Sequence, residues 1–375
     1  MRLFACQRCG HMVYFENSHC EQCQSQLAYL PELAAMSVVE PAGGSWRAEL
    51  DSGVNRRFCV NHGYQACNWM LAESADGEYC RACRHNRIVP DLTIDENLHR
   101  WRRIEIAKHH LFYGLEQLRL PLANREDEPE TGLAFDFLTE ADASTPKVMT
   151  GHDHGLITFN IAEADDGYRE QLRTSMGEPY RTLLGHFRHE VGHYFWDVLV
   201  DRGDRVDDFR ARFGDERQDY QECLKRYYES GPIPQWQNTF VSAYASAHPW
   251  EDFAETWAHY LHIVDTLEMA GAFGLRVSPV IETGPEVHER QTSRPAAESG
   301  ITALIAAWIP VTLAVNSLNR CMGQPDLYPF VLSDSVVAKL RFIHELIHRH
   351  APPVLAAEGA NVGGTAGGEE PDHGR

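Results

Sequence analysis

The stretch LLGHFRHEVGHYFWDVL, Leu183–Leu199, contains the pattern His-Glu-x-x-His at His189, Glu190 and His193. A helix places residues i and i+4 on one face, so the two imidazoles are positioned to bind one zinc ion. The glutamate after the first histidine then lies beside the open coordination position, where a general base is needed. The stretch therefore predicts a metal-binding helix that carries a catalytic glutamate.

A second match to the same pattern, HELIH, lies near the C-terminus at His344, Glu345 and His348. It is followed by residues 351–375, a Gly/Ala/Pro-rich acidic stretch whose composition is typical of a disordered tail and which cannot hold a third ligand rigidly. The helix around this match has an apolar stripe, which predicts a packing role. The stripe consists of Leu340, Ile343 and Ile347. We interpret the second match as structural.

A catalytic zinc site requires three protein ligands and one open position. The segment HPWEDFAETWAHYLH begins 55 residues after His193, and Pro249 in it suits a first helical turn. Glu251 and Glu255 share one face of this helix, one turn apart. Either carboxylate could complete a site with the two histidines.

Eight of the ten cysteines lie in the first 83 residues, mostly in Cys-x-x-Cys pairs, which favours metal binding over disulfides. The spacing predicts two structural zinc sites of four cysteines each. The first set is Cys6, Cys9, Cys20 and Cys23, and the second is Cys59, Cys67, Cys80 and Cys83. His62 is a competing ligand in the second set, for which we prefer the all-cysteine assignment.

The formal charge of −20 is unevenly placed. Residues 1–90 hold eight arginines and nine acids, a net of −1, so the other 285 residues carry −19. An acidic body repels phosphate backbones, which disfavours nucleic acid as a partner. The start of the chain has cysteines where a secretory signal needs an apolar run, and Ile301–Leu318 holds Pro310. We therefore expect a cytoplasmic protein with a buried, proline-kinked or broken helix there and no membrane span.

The composition changes near residue 91, and three regions are expected: a tandem zinc-ribbon region over 1–90, a catalytic domain over 91–350 and the tail over 351–375. Apolar residues at helical spacing, beginning at Trp101, predict a helix that opens the second domain. Gly155–Ile161, GLITFNI, alternates like a strand and would suit pairing with an extended substrate.

Several of these motifs together resemble the gluzincin metallopeptidases, and more closely the zinc-binding metallopeptidases that carry an N-terminal zinc ribbon. They are the eight cysteines, GHDHGLITFNIAEAD, EPYRTLLGHFRHEVGHYFWD and PWEDFAETWAHYLH. The resemblance implies an α+β fold: a zincin-like domain, mostly helical with a small sheet, after a small rubredoxin-like zinc-ribbon β region.

The resemblance also implies roles for residues. Glu251 would be the third zinc ligand, with Glu255 holding a histidine ligand; the reverse assignment is the alternative. Tyr244 would either donate a hydrogen bond to the oxyanion or serve only as an aromatic residue in helix packing. The reaction would be hydrolysis of a peptide or protein substrate by zinc-activated water, with Glu190 as base and one catalytic zinc beside two structural ones. Apart from the resemblance, zinc ribbons commonly bind nucleic acid or protein, and we expect a structural or protein-docking role for them here.

Two other classes of function remain open on the sequence. A catalytically silent binding module would keep the metal helix, although binding alone does not require the glutamate at position 190. A zinc-ribbon regulatory protein that binds nucleic acid or protein is the other class, and the acidic body disfavours nucleic acid as its partner.

Overall fold

The computed structural model describes residues 2–140, 148, 150–279, 290–291 and 300–350. The N-terminal part is rich in β structure. Its strands are β1 Phe4–Ala5, β2 Met12–Val13, β3 Leu27–Leu30, β4 Ala35–Ala42, β5 Ser45–Ala48, β6 Asp51–Phe58 and β7 Met70–Ala72. Strands β1 and β2 form an antiparallel hairpin, and β3 to β7 form a five-stranded antiparallel sheet in chain order.

The second part contains a small mixed sheet and a two-stranded ribbon. The remaining strands are β8 Asn86–Ile88, β9 Ala134–Leu138, β10 Gly151–Asp153, β11 Leu156–Asn160, β12 Arg276–Val277 and β13 Arg290–Gln291. The mixed sheet has the order β10-β11-β9-β8, in which β8, β9 and β11 are parallel and β10 is antiparallel to β11. Strand β8 therefore joins this sheet although it precedes residue 91.

Helices make up most of the second part. Those of the described residues are α1 Asp95–Gln117, α2 Asp166–Met176, α3 Leu183–Trp196, α4 Val206–Phe213, α5 Tyr220–Ser230, α6 Pro249–Ala272, α7 Gly300–Cys321 and α8 Asp334–His350. The α+β class, with a mostly helical domain and a small sheet after a β-rich region, is confirmed. The tail over 351–375 lies outside the described residues.

One continuous hydrophobic core joins the two parts. Phe15 from the ribbon packs its ring 4.8 Å from that of Tyr29 and 5.1 Å from that of Tyr113 on α1. Helix α1 packs in turn against α3. The predicted helix that contains Trp101 is α1. Both the ribbon and α3 pack against this helix.

The apolar segment near residue 310 forms α7, which continues through Pro310 as one helix. Trp308 and Val311 are buried on its inner face. Among the helices of the described residues, α7 alone has the length and apolar composition of a membrane span. Of its most apolar 18-residue stretch, 44% is buried inside the protein. The expected buried helix is thus buried on one face only, since Leu313 and Leu318 are 62% and 65% exposed.

The strand predicted over Gly155–Ile161 exists as β11, but its suggested role is wrong. Strands β10 and β9 pair with its two sides. Its backbone hydrogen bonds are therefore used within the sheet, and the strand at that edge is β10. Alternation of side chains reveals a strand but not its position in the sheet.

The second match to the zinc pattern lies on α8, which packs against α6. Its apolar stripe is fully buried, as the sequence predicts for a packing helix. Nδ1 of His344 lies 2.9 Å from the hydroxyl of Tyr260. Within the described ranges, no cluster of potential metal ligands includes a residue of α8.

Candidate metal centre

Helices α3 and α6 cross at very short distance, and both have defined starts. The hydroxyl of Thr182 accepts a hydrogen bond of 3.0 Å from the main-chain N–H of Gly185 and caps α3. Helix α6 begins at Pro249, as predicted. A Cβ atom on Gly192 would lie 2.9 Å from Cα of Ala254. Glycine at this position therefore permits the approach of the two helices.

The crossing brings His189, His193 and Glu251 together. Nε2 of His189 lies 3.0 Å from Oε2 of Glu251, and Nε2 of His193 lies 3.6 Å from Oε1 of the same carboxylate. One nitrogen from each histidine and one oxygen of Glu251 lie within 4.8 Å of one another. Two imidazoles and one carboxylate at this separation form a donor set that suits zinc.

Two observations show that these residues fit a metal ion. Oε2 of Glu251 is buried and has no hydrogen-bond partner in the described part of the chain, which is costly for a carboxylate unless a cation is bound. Nδ1 of His189 donates a hydrogen bond of 2.7 Å to Oε1 of Glu255, so Nε2 is left with its lone pair. The hydroxyl of Ser242 fixes the other oxygen of Glu255 at 2.6 Å.

Glu190 is held in place by a histidine on the same helix. His186, one turn earlier on α3, lies with Nε2 3.2 Å from Oε1 of Glu190 and with Nδ1 2.7 Å from Oε2 of Glu163. Burial alone would lower the pKa of His186, but the carboxylates of Glu163 and Glu190 outweigh it and raise the pKa to about 9. His186 is thus an imidazolium that donates to Glu190 at neutral pH.

The carboxylate of Glu163, the other partner of His186, is also held in place. Glu163 accepts a hydrogen bond of 2.6 Å from the hydroxyl of Thr150 and pairs with Arg181 at 3.2 Å. Although burial opposes ionisation, the charge of His186 and these donors lower the pKa of Glu163 to about 2. The result is a buried, charged network behind Glu190.

A cavity of about 370 Å³ opens in front of the site. His189, Glu190 and Tyr244 line it, together with Tyr220 and Tyr228 of α5. The ring of Tyr244 lies 5.9 Å from that of His189, so this tyrosine is beside the metal ligands. Glu190 and His189 are therefore both part of the wall of this cavity.

Sequence reasoning did not identify Tyr220, whose hydroxyl donates a hydrogen bond of 2.6 Å to Oε1 of Glu251. It lies 31 residues before Glu251, at the first position of α5, and no local pattern links the two residues. The network of Glu163 with His186 was also not predicted. In both cases the tertiary fold brings residues from different elements together.

The two cysteine clusters form as predicted. In each cluster the four sulfur atoms lie within 4.8 Å of one another. In the first, Cys6 and Cys20 are buried whereas Cys9 and Cys23 are exposed. All four sulfurs of the second cluster belong to buried cysteines.

Trp69, His62 and His109 lie around the second cluster. Trp69 is fully buried and its ring lies 5.2 Å from that of His109. His62 stacks on Phe58, and its Nδ1 lies 3.0 Å from the main-chain oxygen of Cys67. His62 is not among the potential metal ligands that cluster with the four sulfurs in the described residues. The imidazole beside the sulfurs is that of His109 on α1.

Fold and site together define a zinc-binding α+β protein with an N-terminal zinc ribbon. A family model described as "Putative zinc-binding metallo-peptidase" matches residues 97–346, and a zinc-ribbon domain model matches residues 3–94. The first match covers more than half of the chain, and the chain belongs to this zinc-binding metallo-peptidase family.

Relatives of similar length occur in mycobacteria. The chain is 41% identical over 355 residues to an uncharacterized protein of Mycobacterium bovis and, equally, to uncharacterized proteins of two strains of Mycobacterium tuberculosis. Each alignment covers 94% of this chain and 97% of the relative. No solved structure matches the chain.

Proposed function

We propose that the protein is a zinc-dependent peptidase of the gluzincin type that hydrolyses peptide bonds in a peptide or protein substrate. His189, His193 and Glu251 would hold the catalytic zinc, with Glu255 orienting His189. The observation that carries the proposal is the position of Glu190. Glu190 lies on the same helix as both histidines and lines the cavity together with His189.

Bound zinc would supply a Lewis acid that polarises the scissile carbonyl and lowers the pKa of water to roughly 7. Glu190 would take the proton from the attacking water and pass it to the leaving amine. His186 would orient Glu190 through its hydrogen bond. Tyr244, at the cavity wall, would donate to the oxygen that becomes negative as the water attacks.

Each cysteine cluster would bind one structural zinc, which gives three zinc ions per chain with the catalytic one. Zinc would cross-link cysteines that are far apart in the ribbon and so add to the stability that the shared hydrophobic core already provides. Ten free cysteines favour a reducing compartment such as the cytoplasm. The ribbons would also be available to dock other proteins.

A silent binding module and a nucleic-acid-binding regulator are the competing functions. The intact Glu190 and its supporting network favour catalysis over simple binding. Some arginines of the ribbon are paired with carboxylates: Arg56 pairs with Asp51 at 2.8 Å, and Arg84 pairs with Asp127 at 2.9 Å. This pairing and the acidic body disfavour nucleic acid as a partner.

The test compares Glu190→Gln with Glu345→Gln, the equivalent change in the second pattern on α8. Cleavage of an unfolded protein substrate by the zinc-loaded chain is measured together with zinc content. Glu190→Gln should keep all zinc and lose activity by at least about 10²-fold, because a general base contributes roughly 10²–10⁴-fold. Glu345→Gln should match the parent. Equal activity of Glu190→Gln and the parent would sink the proposal.

A further inference from the structure

The second cysteine cluster lies directly against an imidazole from the other domain. Nε2 of His109 on α1 is 3.2 Å from Sγ of Cys67, 3.6 Å from Sγ of Cys83 and 4.0 Å from Sγ of Cys80. His109 is only 4% exposed. Its ring therefore faces three sulfur atoms of the cluster.

These distances match the edges of a tetrahedral zinc site. Zinc binds sulfur at about 2.3 Å and imidazole nitrogen at about 2.0–2.1 Å, so tetrahedral angles separate sulfur and nitrogen ligands by roughly 3.6 Å. The three distances from His109 are distributed around that value. Cys67 and Cys80, with their sulfurs 3.7 Å apart, supply an edge of the usual sulfur–sulfur length. His109 can thus take the fourth corner in place of Cys59.

The orientation of the ring also suits a ligand. Nδ1 of His109 donates a hydrogen bond of 2.6 Å to the main-chain oxygen of Glu105, one turn earlier on α1. This bond places the proton of the neutral ring on Nδ1 and leaves the lone pair of Nε2 directed at the sulfurs. Histidines that bind metals in proteins nearly always have such a partner for the other nitrogen.

The charge of the site favours the same ligand set. Four thiolates and one zinc ion carry a net charge of −2, and burying this charge is costly. The main-chain N–H groups of Trp69, Cys80 and Cys83 donate to sulfurs of the cluster and offset part of that cost. The first cluster has two exposed cysteines, whereas all four of the second are buried. The nearby Lys108 is occupied by Glu105 at 2.7 Å, and both side chains are fully buried. Replacing one thiolate with an imidazole reduces the buried charge to −1.

We propose that the second metal centre is shared between the two domains, with Cys67, Cys80, Cys83 and His109 as zinc ligands and Cys59 as a nearby thiol that is not bound. Zinc at this centre would fasten α1 to the ribbon. Since α1 packs against α3, the same ion would support the helix that carries His189 and His193. This inference does not depend on peptidase activity.

Zinc content of the purified full-length chain tests whether the second centre needs Cys59 as a ligand. Cys59→Ala should retain as much zinc as the parent, whereas Cys80→Ala, the matched control in the same cluster, should lose one equivalent. His109→Ala should retain zinc because Cys59 can take the vacated position. The double variant Cys59→Ala/His109→Ala should lose one equivalent. Loss of one equivalent in Cys59→Ala alone, like that in Cys80→Ala, would overturn the proposal.

A measurement on the unmodified metal centre covers the case in which a variant fails to fold. Long-range proton–nitrogen NMR of the zinc-loaded, histidine-labelled parent reports the state of each ring nitrogen. The His109 signals are those that disappear in His109→Ala. The proposal expects a protonated Nδ1 and a metal-bound Nε2. Protons on both nitrogens, or a metal-free Nε2, would overturn it.

Discussion

Glu255 accepts a hydrogen bond of 2.7 Å from Nδ1 of His189 and does not point at the other ring nitrogen. Nε2 of the same ring faces Glu251. Two carboxylates one helical turn apart thus contact opposite sides of one imidazole. This arrangement separates the carboxylate that completes the donor set from the one that orients a ligand.

Glu255→Gln should therefore weaken zinc binding at this site without abolishing it, by about 10–100-fold, which is typical for the loss of a partner that orients a histidine ligand. Glu251→Gln should have the larger effect because it removes a donor. Zinc affinity is measured by competition with a chelator. If Glu255→Gln lost more zinc affinity than Glu251→Gln, Glu255 would be the ligand and Glu251 the residue that orients His189.

Gly192→Ala should destabilise the fold and weaken zinc binding at the same site. The added Cβ would lie 2.9 Å from Cα of Ala254, so α3 and α6 must separate. Overpacking of this kind costs about 1–3 kcal/mol, against a gain of about 1 kcal/mol from helix propensity. Urea unfolding of the zinc-loaded chain measures the net decrease in the free energy of unfolding.

Gly167→Ala on α2 is the matched control, because a Cβ there meets no atom within 4 Å. It should leave stability unchanged or increase it. A Gly192→Ala protein as stable as Gly167→Ala would show that the close approach of the two helices is not needed.

The contrast between Glu190 and Tyr220 shows what the sequence can predict. The two histidines, Glu190 and the start of α6 follow from helical periodicity and from Pro249, which act over a few residues. Tyr220 and His109 reach their sites only through packing of elements far apart in the chain. No spacing rule connects such residues, so neither was found before the fold was known.

The ion pair of His186 and Glu163 predicts a pH-dependent stability. The pKa of His186 is raised to about 9 and that of Glu163 is lowered to about 2. The stabilisation is complete between the unfolded-state values, roughly pH 4.5 to 6.5. It declines as pH rises toward about 9 or falls toward about 2. Its full size is on the order of 3 kcal/mol.

Glu163→Gln should therefore lower the free energy of unfolding strongly at pH 6 and less at pH 10. A residual loss at pH 10 is expected because Arg181 still pairs with Glu163 in the parent. Glu170→Gln, at a surface pair with Arg173, should have little effect at either pH. An equal loss at pH 6 and pH 10 for Glu163→Gln would contradict the assigned charge of His186.

We propose that the pattern on α3, and not its duplicate on α8, binds the catalytic metal. Zinc content of His193→Ala and His348→Ala distinguishes the two patterns, because each change removes the second histidine of one of them. His193→Ala should lose one zinc equivalent, whereas His348→Ala should retain the zinc of the parent. Loss of zinc in His348→Ala, or full retention in His193→Ala, would contradict it.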